Sequence, residues 1–409
     1  MSSLRPHLDP DELGFDAHRL SRINDFFDAF VDQRKLSGWL ATVSRGGQLA
    51  YVGKGGHADR EADVLVQDDT IWRIYSMTKP ITTIAAMMLY EEGKFDLNDS
   101  AGKWIDALKA PRVYAGGPPA NPTTVPATEP VRVWHLMSHM AGLTYGFTYG
   151  HNVDAIYRLK GYEFGWPKDV TLEQAVNDWC SAPLLFNPGE AWNYSVATDV
   201  LGLLVEKWSG MTLGQFFQER ILGPLKMYDT AFYAPEDKHE RVAQLYTPMN
   251  GEAVPIASMG KGALRPGSLE SGGGGLVSTA HDYNRFLTML LNGGELDGVR
   301  LVSPRTISLM TENFLPGNQD LTAVARDSFS ETDMSGMGFG LGFAVLMDRA
   351  RNASSAANGL FTWGGAASTS FWVDPVEDLT VTFFTQLLPS STYPVRRHLQ
   401  QVVYQALVD

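Results

Sequence analysis

The chain has 409 residues, of which 44% are hydrophobic and 19% are charged, the composition of a globular protein with enough apolar material for a large core. A chain of this length forms one large domain or two interleaved ones. Its 33 basic and 46 acidic side chains give a net charge of −13, which argues against a nucleic-acid or anionic-membrane partner.

The single cysteine, Cys180, excludes an internal disulfide and a cysteine-built metal site, and we expect a small buried hydrophobe there. The first twelve residues carry charges and prolines where a secretory signal needs an apolar segment. No apolar run reaches the length of a membrane-spanning helix. We therefore expect a soluble, cytoplasmic protein.

The first predicted elements are a helix and a hairpin. Apolar residues at positions 20, 23, 27, 30 and 31 follow the spacing of one helix face, which predicts a helix over residues 16–34. Strand-like runs at 38–44 and 48–53 flank an Arg-Gly-Gly turn at 45–47, a pattern typical of a β-hairpin.

The stretch Ile71–Tyr90 places Ser76 and Lys79 in a Ser-x-x-Lys tetrad at the start of a helical pattern. Because proline is tolerated only in the first turn of a helix, Pro80 requires the helix to begin at about Ser76, and Gly93 is a natural stop. The serine then lies at the positive end of the helix dipole, with the lysine one turn away on the same face. This suits a nucleophile and its proton acceptor, but a serine that merely caps the helix fits equally well.

Two more Ser-x-x-Lys matches occur, at Ser100–Lys103 and Ser258–Lys261. The first contains a glycine and precedes no long helical pattern, and the second lies among glycines and a proline. Only the match at Ser76 has a helix start that keeps the two side chains together.

Strand signals are sparse between residues 95 and 330, where helical pieces alternate with loops. Residues 110–130 are rich in proline, glycine and threonine, as in an exposed connection. Seven aromatic residues, beginning with Tyr145, lie among glycines within 145–166. They either line an apolar substrate pocket or form the core of an insertion, and the glycines favour the pocket.

Strand patterns return near the end of the chain, at 339–347, 360–363, 369–373 and 379–386. A final helix follows, with apolar residues at 395, 399, 402, 403 and 407 on one face.

These elements predict an α+β fold, an α/β sandwich. An antiparallel sheet built from both chain ends is flanked by the terminal helices, and a mostly helical domain is inserted between the two halves. The expected units are residues 1–95 with 338–409 for the sheet domain and residues 96–337 for the helical domain.

Further motifs follow the Ser76 tetrad in order along the chain. They are His135–Leu143, Phe186–Asp199, Gly272–Thr279, Phe339–Phe343 and Trp363–Ala366. The ordered set resembles the serine β-lactamase and D-Ala-D-Ala peptidase superfamily, on its class C side. Within it, the chain is most similar to the family VIII carboxylesterases, which share the β-lactamase/transpeptidase-like fold. The resemblance spans nearly the whole chain.

The resemblance implies that Ser76 is the acylated nucleophile and that Lys79 helps to remove its proton. Tyr194 matches the tyrosine of the family's Tyr-x-Asn motif, which acts as general base and then as general acid. A serine hydroxyl is a weak nucleophile until a base takes its proton, and a phenol can be that base beside an ammonium group. Taken alone, Tyr194 would be a loop aromatic before a helix.

The family's third motif, on an edge strand beside the serine, corresponds to Trp363-Gly364-Gly365. The resemblance implies that Ala366 donates its backbone N–H to the oxyanion hole, together with the N–H of Ser76. Glycines in this motif let an acyl group approach the backbone closely.

Two residues depart from the family pattern. Val196 stands where β-lactamases and peptidases have an asparagine that binds a substrate amide. Trp363 stands where they have a cation or a histidine that helps to bind a substrate carboxylate. Both departures occur in esterase members, weigh against efficient β-lactam hydrolysis, and favour a small-molecule neutral ester, short-chain or bulky.

Other kinds of site fit the sequence less well. His135 and His139 have the spacing of helical zinc ligands, but the glutamate of His-Glu-x-x-His is missing and the family segment is structural. No Gly-x-Ser-x-Gly elbow occurs, and no Lys-Ser/Thr follows the glycine run 272–275, which we expect to be a tight turn beside the site. We expect neither a metal nor another cofactor.

The leading hypothesis is a serine carboxylesterase that works through an acyl-enzyme. The alternatives are an acyltransferase or amidase on the same machinery, a weak β-lactamase or D-Ala-D-Ala peptidase, and a non-catalytic binding protein. The complete set of Ser76, Lys79 and Tyr194 argues against the last. The sequence leaves the natural ester and the oligomeric state open.

Overall fold

Strands from both ends of the chain form one eight-stranded antiparallel sheet in the computed structural model, which describes residues 4–256, 259–326 and 334–408. The strands of this described part are β1 (Gly38–Arg45), β2 (Gln48–Asp59), β3 (Val64–Leu65), β4 (Trp72–Arg73), β5 (Arg112–Gly116), β6 (Thr123–Pro126), β7 (Tyr246–Met249), β8 (Glu252–Pro255), β9 (Val277–Ser278), β10 (Glu295–Leu296), β11 (Val299–Arg300), β12 (Met337–Phe339), β13 (Ala344–Leu346), β14 (Phe361–Gly364), β15 (Ser370–Asp374) and β16 (Leu379–Phe384).

The order of strands in the large sheet is β12-β13-β14-β15-β16-β1-β2-β3. Within the sheet, the first strand of the chain pairs with the last, with Leu40 of β1 opposite Phe384 of β16. The remaining strands form two-stranded pairs: β4 with β9, β5 with β6, β7 with β8, and β10 with β11.

Helices surround this sheet and fill the inserted region. The α-helices of the described part are α1 (Ala17–Leu20), α2 (Arg22–Asp32), α3 (Thr78–Glu91), α4 (Val133–Met137), α5 (Asn152–Leu159), α6 (Leu172–Cys180), α7 (Ala197–Ser209), α8 (Leu213–Phe217), α9 (Ala280–Leu291), α10 (Pro304–Met310), α11 (Leu321–Val324), α12 (Arg349–Asn352) and α13 (Val395–Tyr404). Short 3-10 turns lie at Pro10–Leu13, Tyr75–Met77, Ala101–Lys103, Asp106–Leu108, Gly146–Thr148, Glu236–Arg241, Gly260–Leu264, Pro316–Asn318 and Ser390–Thr392, and a π-turn at Gln218–Leu222.

Both faces of the sheet are covered, which explains why β1 is buried along nearly its whole length. Because side chains alternate along a strand, Trp39 and Val43 pack with α2 and α13, whereas Leu40 belongs to the core that contains α3 and α9. The polar side chain of Ser44, on this second face, donates a hydrogen bond to Asn284 Oδ1 of α9 (3.1 Å). The sheet is therefore the middle layer of a three-layer sandwich.

The predicted start of the helix after Ile71 is confirmed. Ser76 lies in the 3-10 turn Tyr75–Met77, α3 follows at once, and Pro80 falls in the first turn of α3. Gly93, just past the end of the helix, has φ +72°, the left-handed conformation in which glycine ends helices.

The predicted fold class is confirmed, with two differences of detail. The helix expected over 16–34 is α1 followed by α2, and the single strand expected at 339–347 is wrong. That segment is the hairpin of β12 and β13, because the chain turns at Gly342 (φ +91°) and the Gly340 N–H donates to the Phe343 carbonyl (2.8 Å).

The connection 110–130 is largely exposed, as predicted, but it contains the hairpin of β5 and β6. Cys180 is buried, and burial raises the pKa of its thiol to about 12, which fits the predicted small hydrophobe. The division into units 1–95 with 338–409 and 96–337 stays a prediction. Of the helices in the described residues, none combines the length and apolarity needed to cross a bilayer.

Candidate active site

Ser76 sits where β4 leads into α3, in a turn with unusual backbone geometry. The preceding residue, Tyr75, has φ +42°, a left-handed conformation that a tyrosine rarely adopts. Two hydrogen bonds hold the turn in place: Ile74 N–H donates to the Leu276 carbonyl (3.1 Å), and the Tyr283 hydroxyl donates to the Met77 carbonyl (2.9 Å). The serine is therefore presented by a locally fixed backbone.

The three predicted catalytic side chains meet around the Ser76 hydroxyl. Tyr194 Oη lies 2.6 Å from Ser76 Oγ, and Lys79 Nζ lies 3.3 Å from the same oxygen. The lysine ammonium also lies 4.4 Å from the centre of the Tyr194 ring. Either side chain is close enough to exchange a proton with the serine.

All three N–H donors of Lys79 have acceptors. Besides Ser76 Oγ, they bind the Tyr145 hydroxyl oxygen (3.0 Å) and the Gly273 carbonyl oxygen (2.7 Å). Burial, together with the nearby Tyr194 and Asp199, raises the pKa of Tyr145 well above its usual value, so Tyr145 is a neutral phenol. The sequence suggested Tyr145 only as a substrate-pocket residue.

Asp199 is a polar residue of the site to which the sequence gave no role, although it closes the motif Phe186–Asp199. It is buried in the first turn of α7, and its Oδ1 accepts from the Ser271 hydroxyl (2.5 Å) and from the Gly273 N–H (3.0 Å). Burial raises the pKa of Asp199, while the charge of Lys79 and these donors oppose the rise. Asp199 thus fixes Gly273, the residue whose carbonyl oxygen accepts a hydrogen bond from the lysine.

The glycine run 272–275 forms the predicted tight turn beside the site. Its Gly272 carbonyl accepts from the Thr82 hydroxyl of α3 (2.7 Å). A Cβ on Gly273 would lie 2.4 Å from Asp199 Oδ2, so only glycine fits where Lys79 and Asp199 approach this turn.

Aromatic rings enclose Tyr194. The Trp363 indole N–H points to the Tyr194 hydroxyl oxygen (3.4 Å), the Trp192 ring stacks on it at 6.1 Å, and the His139 ring lies at 4.9 Å. Burial, and next the charge of Lys79, lower the pKa of His139 well below its usual value. The imidazole is therefore neutral and adds no competing charge beside the lysine.

His135 and His139 do not share a helix face. His135 lies within α4, but His139 follows the helix with φ +58°, and its Nδ1 lies 3.2 Å from Ser195 Oγ. The described residues contain no cluster of His, Cys, Asp and Glu side chains suited to a metal ion.

The strand that carries the third motif is internal, so its predicted position at the sheet edge is wrong. β14 lies between β13 and β15, because the hairpin of β12 and β13 extends the sheet. However, β13 pairs only with Phe361 and Thr362 of β14. Trp363 and Gly364 extend past the end of β13, which leaves that side of the strand open beside the serine.

Gly364 and Gly365 permit close approaches that a side chain would block. A Cβ on Gly364 would lie 2.4 Å from Arg396 Cζ, and one on Gly365 would lie 2.4 Å from the carbonyl oxygen of Ile74. The absence of a side chain at Gly365 therefore lets the chain after β14 lie close to the turn that carries Ser76.

Two cavities of the described part meet at the nucleophile, since Ser76, Tyr194 and Ala366 line both. One, of about 230 Å3, also contains Tyr145 and Val196. The other, of about 120 Å3, is lined by the remaining predicted binding residues and by two guanidinium groups: Trp363, Gly364, Gly365, Arg396 and Arg397.

The other Ser-x-x-Lys matches have different surroundings. Ser100 caps a 3-10 turn by accepting from the Gly102 N–H (3.2 Å), and Lys103 pairs with Asp99. Ser258 lies outside the described residues. Of the tetrads that lie wholly within the described residues, only the one at Ser76 joins the site.

The antiparallel sheet with its helical insertion, and a serine flanked by lysine and tyrosine, define an active-site serine protein of the β-lactamase/transpeptidase-like fold. The chain belongs to the β-lactamase family, whose model matches residues 23–405. This confirms the predicted superfamily.

Three similar proteins cover nearly the whole chain. Protein Rv1367c of Mycobacterium tuberculosis is 36% identical over 362 residues, 88% of each chain. Esterase EstB of Burkholderia gladioli is 31% identical over 398 residues, 92% of this chain and 93% of the relative. The solved structure of EstCE1, a hydrolase with promiscuous acyltransferase activity, superposes with a TM-score of 0.81 at 28% identity, covering 97% of this chain and 99% of the other.

Proposed function

We propose that this protein is a serine carboxylesterase of the family VIII type, which cleaves neutral carboxylic esters through an acyl-serine intermediate. One observation carries the proposal: Ser76 Oγ lies 2.6 Å from Tyr194 Oη and 3.3 Å from Lys79 Nζ. A hydroxyl beside a phenol oxygen that can take its proton, with an ammonium group close to both, is the arrangement that nucleophilic catalysis requires. The similarity to an esterase over most of both chains supports the same activity.

In acylation, the Ser76 proton moves to the Tyr194 oxygen as Ser76 Oγ bonds to the ester carbonyl carbon. The ammonium of Lys79, 4.4 Å from the centre of the Tyr194 ring, stabilises negative charge on the phenolate that receives this proton. When the tetrahedral intermediate collapses, the bond to the alcohol oxygen breaks. Tyr194 returns the proton to that oxygen, and the alcohol leaves.

In deacylation, water takes the place of the alcohol. Tyr194 accepts a proton from the water as its oxygen attacks the acyl carbon, and then gives the proton to Ser76 Oγ as the acid departs. The carbonyl oxygen, negatively charged in both intermediates, binds the backbone N–H groups of Ser76 and Ala366. Loss of one such donor typically costs about 10²–10³ in rate.

The residues around Ser76 support a neutral substrate. Val196 and Trp363 provide apolar surface in the two cavities. Arg396, the guanidinium beside Gly364, donates to the carbonyl oxygens of Gly365 (2.7 Å) and Thr369 (2.8 Å). Arg397, the second guanidinium of this cavity, donates to the carbonyl oxygens of Asn352 (3.1 Å) and Ala353 (3.2 Å). Both cations have roles in holding the fold, so their presence does not require a substrate carboxylate.

A second candidate activity is acyl transfer on the same machinery. Two cavities meet at Ser76, so an acceptor alcohol in one cavity can reach an acyl group held in the other. EstCE1, a hydrolase with acyltransferase activity, supports this alternative. A rising yield of the new ester with added alcohol, at constant acyl-enzyme formation, would distinguish transfer from hydrolysis.

The decisive experiment compares purified wild type with Ser76→Ala on p-nitrophenyl acetate, p-nitrophenyl butyrate and a chromogenic cephalosporin. We expect ester cleavage that depends on Ser76 and little cephalosporin turnover. An acyl adduct on Ser76, detected by mass spectrometry after rapid acid quenching, would identify the nucleophile. Wild-type ester turnover by Ser76→Ala would overturn the mechanism, and stronger turnover of the cephalosporin than of the esters would overturn the assigned substrate class.

A further inference from the structure

The cavity of about 230 Å3 beside Ser76 is unusually aromatic. Nine of its nineteen lining residues are Phe, Trp or Tyr, and none is Lys or Arg, whereas aromatic residues make up 11% of the chain. Its polar lining groups besides Ser76 include Glu163, an exposed residue, and the buried Asp199. These described lining residues offer an anionic group no cationic side chain, whereas a neutral apolar group has much to contact.

Three rings of this lining form a parallel series that leads from the catalytic lysine to the surface. Tyr145, whose hydroxyl binds Lys79, stacks on Phe147 with ring centres 4.7 Å apart and an angle of 18° between planes. Phe147 stacks in turn on Phe164, at 5.9 Å and 7°. We call these three rings the aromatic ladder.

The exposed fraction of the side chains distinguishes the outer end of the ladder from the hydrophobic core. Tyr157 and Tyr162, on the same segment, are 1% and 3% exposed, as expected of core residues. Phe164 and Trp166 also line the cavity but are 67% and 41% exposed. Burial in the core therefore does not explain why aromatic residues stand at these two positions. A ligand in the cavity would cover apolar surface that is now in water.

We propose that the aromatic ladder binds a planar aromatic group, on the acyl or the alcohol side of the ester, so that aryl esters are the preferred substrate class. Aromatic pairs favour offset stacking and edge-to-face contact beyond the gain from burial alone. A planar ring can extend the ladder in either way, whereas a saturated ring of the same size cannot. This inference rests on the proposed esterase function and adds the class of substrate.

The test uses two pairs of esters matched in size. Ethyl phenylacetate is compared with ethyl cyclohexylacetate for the acyl side, and 2-phenylethyl acetate with 2-cyclohexylethyl acetate for the alcohol side. Acid release is followed by pH-stat, and each kcat/KM is divided by the rate constant of hydroxide-catalysed hydrolysis to remove intrinsic reactivity. We expect the aryl ester to be preferred in one pair by about threefold to tenfold, the range that ring contacts supply.

Phe164→Leu keeps an apolar side chain at an exposed position but removes the ring. We expect it to reduce the aryl preference to near unity. Tyr228→Leu is the matched control, because Tyr228 is also 67% exposed but does not line the cavity. This control keeps the wild-type preference.

Each other outcome has a defined meaning. Turnover without an aryl preference in either pair overturns this inference and leaves the esterase function intact. An aryl preference that survives in Phe164→Leu overturns the role of the ladder. No turnover of any of the four esters, with no acyl adduct on Ser76, overturns the proposed function and this inference with it.

Discussion

Trp363 directs its indole N–H at the Tyr194 hydroxyl oxygen, with 3.4 Å between the two atoms, and the two rings are 5.4 Å apart. Members of the superfamily that act on carboxylate substrates have a cation or a histidine at the Trp363 position. An indole donor supports negative charge on the phenol oxygen but offers no positive charge to a substrate. The contact thus relates the departure in the third motif to the proposed preference for neutral esters.

Replacing Trp363 should shift the substrate preference. We expect Trp363→His and Trp363→Lys to raise kcat/KM for a cephalosporin relative to p-nitrophenyl butyrate by about tenfold, the gain of one charge-assisted hydrogen bond. Trp363→Phe, which adds no polar group, is the control and should leave cephalosporin turnover low. An unchanged ratio in the first two variants would mean that the third motif does not set specificity here.

Tyr194→Phe and Lys79→Ala should each bring ester turnover close to that of Ser76→Ala. We expect a loss of about 10³-fold or more in kcat for each, because both groups act on the same proton. For the same reason the double variant should be little worse than either single one. Additive losses in a double-mutant cycle would show that the tyrosine and the lysine act in separate steps.

Asp199→Asn should lower kcat by about tenfold while the melting temperature changes little. An asparagine can still accept from the Gly273 N–H and the Ser271 hydroxyl, but it removes the carboxylate charge near Lys79. Asp199→Ala should cost more in kcat and also about 1–3 kcal/mol in stability, because it leaves buried donors without an acceptor. Ser271→Ala, which removes only one of the two donors, is the control. A wild-type kcat in Asp199→Asn would mean that the charge has no part in the reaction.

Stability should fall as the pH drops from 7.5 to 5.0. Burial, with the charge of Arg132, lowers the pKa of His135 to about 3, and burial also keeps His139 neutral in the fold. The unfolded chain takes up a proton on each imidazole below about pH 6.5, so acid favours the unfolded state. The expected loss from His135 is about 2 kcal/mol over this range, and His139 adds a loss of the same sign.

Urea denaturation at several pH values measures this loss. His135→Gln should be less stable at pH 7.5 but should show a smaller pH dependence than the wild type. His18→Gln, at an exposed position of α1, should keep the full dependence. A wild-type unfolding free energy that is constant between pH 7.5 and 5.0 would contradict the prediction.

The sequence predicted elements wherever a local pattern determines the structure. The helix at Ser76 was predictable because Pro80 and Gly93 restrict its two ends, and the hairpin around residue 46 because its turn residues are distinctive. The pair of β12 and β13 was missed because its turn, Phe339–Phe343, contains two phenylalanines and a leucine, which read as a continuous strand. Nothing in the sequence around Tyr75 indicates the positive φ of that residue.

The site was predictable through motifs, but its internal contacts were not. Ser76, Lys79 and Tyr194 fall in recognisable patterns, whereas the bonds from Lys79 to Tyr145 and Gly273 join segments 66 and 194 positions away in the chain. Asp199 stood inside a motif, but only the fold places its carboxylate against the Gly273 peptide. Spacing along the chain carries no information about such contacts.

The pairing of β1 with β16 has a consequence for the order of events during synthesis. Leu40 leaves the ribosome long before Phe384, its partner. At about 5–20 residues per second, the delay is roughly 20–70 s. During that time, one edge of the hairpin of β1 and β2 has no neighbour, and an open edge is prone to pair with other chains. We expect nascent chains released before β16 to be inactive and to depend on chaperones.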